Sequence, residues 1–78
     1  MDEFCSFGQW LKESRRANGL TQNQFAKQVY CATVTIRKIE ADRLRPSREL
    51  VALIVNALNV EYTEHSTIVE WARRRESA

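Results

Sequence analysis

The sequence predicts an all-α fold, arranged as one compact five-helix domain over residues 1–78. Its 78 residues give room for a single small domain. Strand signals are weak, because the chain has one Pro and two Gly and no sustained alternation of apolar and polar residues. The residues that favour helices, among them Ala, Leu, Glu, Arg, Lys and Gln, are plentiful.

The first helix is predicted to run from about Phe7 to Asn18. Phe7, Trp10 and Leu11 have the i, i+3, i+4 spacing of one apolar stripe. Gly19 follows, and it is the residue expected to adopt the left-handed conformation that commonly ends a helix.

The second and third helices are predicted to be separated by a break at residues 30–32, although this stretch contains neither Gly nor Pro. The second helix begins at Thr21, because TQNQ has the spacing of a capping box. The third is expected from about Thr33 to Ala41. Its apolar positions do not continue the register of the second helix, which requires the break. The residues expected to face inward are Phe25, Ala26, Val29, Cys31, Ile36 and Ile39.

The fourth helix is expected after a loop at 42–46, with Ser47 as its N-cap and Asn59 at its end. Its buried face is expected to hold Leu50, Leu53, Ile54, Ala57 and Leu58. An additional C-terminal helix is predicted from about Thr63 to Arg75. The residues expected on its inward face are His65, Ile68, Val69 and Ala72, with Trp71 beside them.

The charge distribution favours a polyanionic partner. The whole chain carries a net charge of +2. Residues 27–48 hold six basic and two acidic side chains, whereas the remaining residues hold six basic and eight acidic ones. A basic zone on a slightly acidic body suits nucleic acid. An ordinary solvated surface is the alternative on charge alone.

Several function classes find no support in the sequence. Cys5 and Cys31 show neither a disulfide framework nor zinc-site spacing, and His65 has no neighbouring ligands, so no metal or cofactor is expected. No catalytic Ser/His/Asp constellation and no phosphate-binding Gly loop is recognisable, so an enzyme is not predicted. The N-terminus carries Asp2 and Glu3 instead of a secretory signal, and no apolar run approaches a membrane span. We therefore expect a cytoplasmic protein without a membrane partner.

Two short helices joined by a tight turn form a helix-turn-helix unit, whose second helix can enter the DNA major groove. The outward face of the third helix offers Thr33, Val34, Arg37 and Lys38. Arg and Lys pair with guanine, and a Thr or Val methyl group can contact the thymine methyl group. This face is therefore a candidate surface for reading DNA bases.

Residues 7–60 read FGQWLKESRRANGLTQNQFAKQVYCATVTIRKIEADRLRPSRELVALIVNALNV. They contain GLTQ, TIRKIE and RPS in this order and spacing, and on these motifs they resemble the lambda-repressor/Cro-type, xenobiotic-response-element-like helix-turn-helix family. The resemblance implies a lambda-repressor-like DNA-binding domain. It also implies sequence-specific binding of double-stranded DNA for transcription regulation, with the third helix in the major groove. The alternative is a protein-interaction module that kept the fold without sequence-specific DNA reading.

The resemblance also implies roles for individual residues. The residues expected to read bases are Thr33, Val34, Arg37 and Lys38. Those expected to contact the DNA backbone are Thr21, Gln22, Thr35, Arg43, Arg45 and Ser47. An ion pair between Arg15 and Glu40 is expected to tie the first helix to the third.

Three residues depart from the family pattern. Tyr30 stands where a Gly is usual in the turn, and a left-handed backbone there would cost on the order of 1 kcal/mol. Ala32 replaces the usual Ser or Thr cap, at a cost of about 1 kcal/mol. Asp42 replaces a common Gly and is expected to add a negative charge near the DNA side.

The C-terminal helix leaves two alternatives for the oligomeric state of the protein. Ile68, Val69 and Trp71 give the fifth helix an apolar surface that is expected either to close the domain's own core or to pair two copies of the chain. We favour the first for the isolated chain and expect a weak homodimer mainly on DNA. Some domains of this kind form the N-terminal part of a longer regulator. We expect an N-terminal domain of such a regulator and an independent protein equally.

Overall fold

Five helices and no strand occur among the residues that the computed structural model describes, which are 6–60 and 64–73. In chain order they are α1 (Phe7–Ala17), α2 (Gln22–Gln28), α3 (Thr33–Glu40), α4 (Arg48–Ala57) and α5 (His65–Arg73). The all-α prediction is confirmed. So is the break between the second and third helices, which the structure places at residues 29–32.

Side-chain caps begin three of the helices. Thr21 Oγ1 accepts a hydrogen bond from the Gln24 backbone N–H, and the Gln24 side chain accepts one from the Thr21 backbone N–H, so the predicted capping box is present. Ser47 caps α4 as predicted, and Ser6 caps α1 in the same way. The residue before α3 is Ala32, which makes no side-chain cap.

The first four helices end in one shared backbone motif. The residue after each C-cap has a positive φ: 71° at Gly19, 59° at Tyr30, 61° at Asp42 and 60° at Asn59. In the helix-turn-helix break, Tyr30 N–H bonds to the Lys27 carbonyl at 3.3 Å, and the next backbone N–H bonds to the Ala26 carbonyl at 3.0 Å. This pair of bonds is a Schellman motif, which satisfies the last carbonyls of α2 and turns the chain without Gly or Pro.

Replacing Tyr30 with Gly is expected to raise the free energy of unfolding by about 0.5–1 kcal/mol, because Gly adopts positive φ without a clash of its Cβ atom. The Tyr30 side chain is 84% exposed, so little packing is lost. Urea unfolding of wild type, Tyr30→Gly and Tyr30→Ala measures the gain. Tyr30→Ala keeps the Cβ atom and should match wild type, and equal stability of the Ala and Gly variants would contradict backbone strain at this turn.

The core lies where α2, α3 and α4 meet α1 and α5. Its largest fully buried side chains are Leu11, Phe25, Val29, Ile36, Ile39, Val51, Ile54, Val55 and Ile68. The inward positions predicted in α2 and α3 are therefore confirmed, while Cys31 is only half-buried against the core.

The predicted buried face of α4 was partly wrong. The structure buries Val51, Ile54, Val55 and Leu58, whereas Leu53 is 37% exposed. Leu50 and Ala57 are half-buried. The physical reason is that residues 50–58 are apolar except for one Asn, so the i, i+3, i+4 spacing fits more than one face and periodicity alone cannot choose between them.

Helix α5 packs against the start of α1. Ile68 and Ala72 are buried. The Trp71 ring lies 5.6 Å from that of Phe7 and 5.9 Å from that of Trp10, in edge-on arrangements. The fifth helix therefore contributes to the domain's own core.

The ends predicted for the fifth helix, Thr63 and Arg75, lie outside the described residues, as do the side chain of His65 and the whole of Cys5. Within the described ranges, no helix has the length and apolarity that crossing a membrane would require.

Candidate nucleic-acid interface

The exposed face of α3 is fixed by the burial of its opposite face. Ile36 and Ile39 are fully buried against α2 and the rest of the core. Val34, Arg37 and Lys38 are exposed, and Val34 retains 47% of its accessible surface although it is apolar. At 3.6 residues per turn these three side chains share one side of the helix. The structure thus brings together three of the four residues expected to read bases.

The fourth of these residues, Thr33, is half-buried at the start of α3. Its hydroxyl donates a hydrogen bond to Asn23 Oδ1 at 2.9 Å, which joins the first turns of α2 and α3. Because the hydroxyl proton is already hydrogen-bonded to Asn23, the Thr33 oxygen can only accept hydrogen bonds from other groups. Sequence reasoning missed Asn23, since a contact between residues ten positions apart leaves no trace in helical spacing.

Arg15 and Glu40 form a buried ion pair between α1 and the last residue of α3. Arg15 Nε and Nη2 donate to the two Glu40 carboxylate oxygens at 2.6 and 3.1 Å, and the side chains are 8% and 4% exposed. Arg15 Nη1 donates to the Leu20 carbonyl at 2.7 Å. The guanidinium therefore binds α3 and the α1–α2 connection at once.

Gln22, expected at the DNA backbone, belongs to the same network. Its Nε2 donates to Glu40 Oε1 at 3.0 Å, and the residue is half-buried. A primary amide carries two N–H donors, so one is still available to a phosphate oxygen. Through this bond the ion pair also fixes the first residue of α2.

Asp42 was expected to place a negative charge near the DNA side. In the structure its carboxylate binds the start of α1. The carboxylate accepts a hydrogen bond from Ser6 Oγ at 2.6 Å and one from the Gly8 backbone N–H at 3.1 Å. It therefore caps the start of α1, where an anion is favoured by the helix dipole. Gly8 allows this approach, because a Cβ atom there would lie 2.7 Å from Asp42 Oδ1 and 2.5 Å from the Ile39 carbonyl oxygen.

The loop between α3 and α4, residues 42–47, carries three of the residues expected at the DNA backbone. Arg43 is exposed and makes no side-chain hydrogen bond within the described part of the chain. Arg45 Nη1 donates to the Arg73 carbonyl at 3.0 Å, which uses one of the five N–H donors of its guanidinium. The Ser47 hydroxyl accepts the α4 cap bond and keeps its proton for another acceptor.

Two further predicted backbone residues lie at the helix starts. Thr21 is exposed at the capping box of α2, and Thr35 is half-buried in the first turn of α3. Neither side chain is fully buried in the core.

The Cys31 thiol, which follows Tyr30 in the turn between α2 and α3, has low reactivity. Burial raises the pKa of the Cys31 thiol above its ordinary value, because desolvation disfavours the charged thiolate. The thiol is therefore largely protonated at neutral pH, and the protonated form is a poor nucleophile.

The comparison with known protein families identifies the architecture. A family model described as helix-turn-helix matches residues 11–65, which include α2, α3 and the turn between them. No curated protein and no solved structure matches the chain. Domains of this family bind DNA in transcription regulators, and the match covers well over half of the chain. The chain belongs to the lambda-repressor/Cro-type helix-turn-helix family.

Proposed function

We propose that the chain binds double-stranded DNA in a sequence-specific way, as a regulator of transcription, with α3 in the major groove. The observation that carries this proposal is the exposed face of α3. Val34, Arg37 and Lys38 stand out from the helix, and none of the three side chains makes a hydrogen bond or ion pair within the described residues. They are therefore available to base edges.

The chemistry of this face matches the major groove. Arg and Lys donate to guanine O6 and N7, and the Val methyl groups suit the thymine methyl group. Thr33, with its proton held by Asn23, adds an acceptor that suits the exocyclic amino group of adenine or cytosine. Four side chains of this kind distinguish a few base pairs.

The surrounding polar groups suit the DNA backbone. Phosphate contacts fix the register of a protein on the duplex, whereas base contacts specify sequence. We assign the phosphate contacts to Thr21, Gln22, Thr35, Arg43, Arg45 and Ser47. Arg43 is the clearest of them, because its guanidinium is exposed and free of hydrogen bonds to other described residues.

Binding to duplex DNA at several salt concentrations tests the function. We expect affinity to fall as salt rises, because each phosphate contact releases a counterion. Arg43→Ala should weaken binding to all duplexes alike and lower the salt slope by about one unit. Arg43→Lys keeps the charge and should keep the slope. Salt-independent or undetectable binding by wild type would favour the protein-interaction alternative.

We further propose that two copies pair on DNA through α5, and not in free solution. A single recognition helix buries too little surface for strong specificity, and dimers overcome this by binding two half-sites about one helical turn apart. Ile68 is buried within its own chain, and Val69 and Trp71 are half-buried, which leaves only a modest apolar surface for a partner.

Sedimentation with and without duplex tests this pairing. The free chain is expected to be monomeric, and two copies are expected on a duplex with two half-sites. Val69→Lys should abolish the second copy and leave one-to-one binding intact. One-to-one binding of wild type at saturating protein would contradict the dimer.

A further inference from the structure

The loop at 42–47 is held at its two ends more than along its middle. Arg43, Leu44 and Arg45 are exposed, and only Pro46 is buried. A cavity of about 260 Å³ lies between this loop and the side chains of Phe7, Ile39 and Trp71. The core therefore gives the middle of the loop little support from below, and polar contacts at its ends must set its position.

The start of the loop is attached to α3 and α1, and its end is attached to α5. The Arg43 backbone N–H donates to the Lys38 carbonyl at 2.8 Å, and Asp42 binds Ser6 and Gly8. The attachment to α5 is reciprocal: Arg45 Nη1 donates to the Arg73 carbonyl at 3.0 Å, and Arg73 Nη1 donates to the Pro46 carbonyl at 2.8 Å. Pro46 precedes α4 by two residues, so this pair fixes the end of the loop relative to the last turn of α5.

The reciprocal pair suits the charges at the end of α5. Carbonyl groups in the last turn of a helix lack helical partners and carry partial negative charge, so they favour cations. The Arg45 guanidinium satisfies one such carbonyl from outside the helix, while the Arg73 side chain reaches back to the loop. Each of the two guanidinium groups is thus bound to a backbone carbonyl oxygen, and neither forms an ion pair with an acidic side chain among the described residues.

We propose that α5 is a positioning element of the DNA interface and that Arg73 is its positioning residue. By holding the Pro46 carbonyl, Arg73 orders the loop before DNA arrives, so that Arg43 is already directed at a phosphate group. This inference rests on the proposed function, since it concerns the same contact of Arg43 with DNA. It assigns a role in binding to a helix that lies largely outside the segment matched by the family model.

The physical basis is preorganisation. A loop that is mobile in the free protein must lose conformational freedom when its arginine engages phosphate, and this loss reduces the affinity. A loop that is already ordered avoids most of it. Removing the Arg73 side chain should therefore weaken DNA binding through Arg43, without any contact of Arg73 with DNA.

A double-mutant cycle on the full chain separates positioning from direct contact. We expect Arg73→Ala to reduce affinity for duplex DNA about three- to tenfold in the wild-type background. In the Arg43→Ala background it should cause a clearly smaller loss, because one of the loop contacts that it supports is already gone. Arg73→Lys keeps a charge and a donor for the Pro46 carbonyl and should bind nearly as wild type.

Backbone ¹⁵N relaxation of the DNA-free chain gives a second readout. Order parameters of residues 44 and 45 should fall in Arg73→Ala and recover in Arg73→Lys, while those of α3 stay constant in both variants. The same spectra verify that each variant is folded at the assay temperature. This measurement does not depend on DNA binding.

The outcomes are distinct. An equal loss of affinity from Arg73→Ala with and without Arg43 would overturn positioning in favour of direct contact or general charge. Unchanged affinity, or unchanged order in the loop, would overturn the inference while leaving the proposed function standing. A wild-type chain without salt-dependent binding to duplex DNA would overturn the proposed function itself.

Discussion

Glu40→Ala is expected to lower the free energy of unfolding by about 3–5 kcal/mol, because it leaves the Arg15 charge buried without its partner. The carboxylate accepts three hydrogen bonds, two from Arg15 and one from Gln22, and its side chain is 4% exposed. A domain of this size has a total stability of only about 4–12 kcal/mol, so the variant should melt at a much lower temperature. Urea and thermal unfolding measure both quantities.

Glu70→Ala is the matched control, because Glu70 is an exposed carboxylate on α5. It should change the free energy of unfolding by no more than about 0.5 kcal/mol. Replacing Arg15 and Glu40 together by Met should recover much of the stability, since apolar groups of similar volume carry no desolvation penalty. Equal, small effects of Glu40→Ala and Glu70→Ala would show that the ion pair does not hold α1 to α3.

Lys38→Ala is expected to relax sequence preference at one or two base pairs, with a loss of about 1–3 kcal/mol of discrimination at those positions. Lys38 is exposed on the outward face of α3 and has no acceptor within the described residues. A base edge is therefore the partner that the proposal assigns to it. Affinities for a preferred duplex and for its single-base variants measure the change.

Arg43→Ala serves as the comparison for Lys38→Ala, because it removes one exposed cation of the loop. It should weaken binding uniformly across the same duplexes, with the order of preference unchanged. Two variants that lose affinity in the same sequence-independent way would contradict the assignment of Lys38 to bases.

Local signals predicted most of the architecture. The capping box at Thr21, the N-cap at Ser47 and the left-handed residues Gly19 and Asn59 depend on neighbours within a few positions, so the sequence displays them directly. The break at Tyr30 was predicted from the change of apolar register, and the Schellman motif that makes the break was not. The buried face of α4 was predicted partly wrongly, because a nearly continuous apolar run does not favour one face of the helix over another.

Helical spacing in the sequence could not predict the long-range polar contacts. The bonds of Asp42 to Ser6 and Gly8 span 36 and 34 positions, and the bond of Arg45 to Arg73 spans 28. Such contacts depend on how helices pack, which helical spacing does not encode. The Arg15–Glu40 pair, 25 positions apart, was expected only because the family resemblance implied it.

Selection of bound sequences from a random pool of duplex DNA tests most directly the claim that α3 reads bases. The wild-type chain is expected to enrich a defined short motif. A variant carrying Arg37→Ala and Lys38→Ala, checked to be folded by circular dichroism, should bind more weakly and lose that motif. Enrichment of the same motif by both proteins, or binding by wild type with no enriched motif, would contradict base reading by α3.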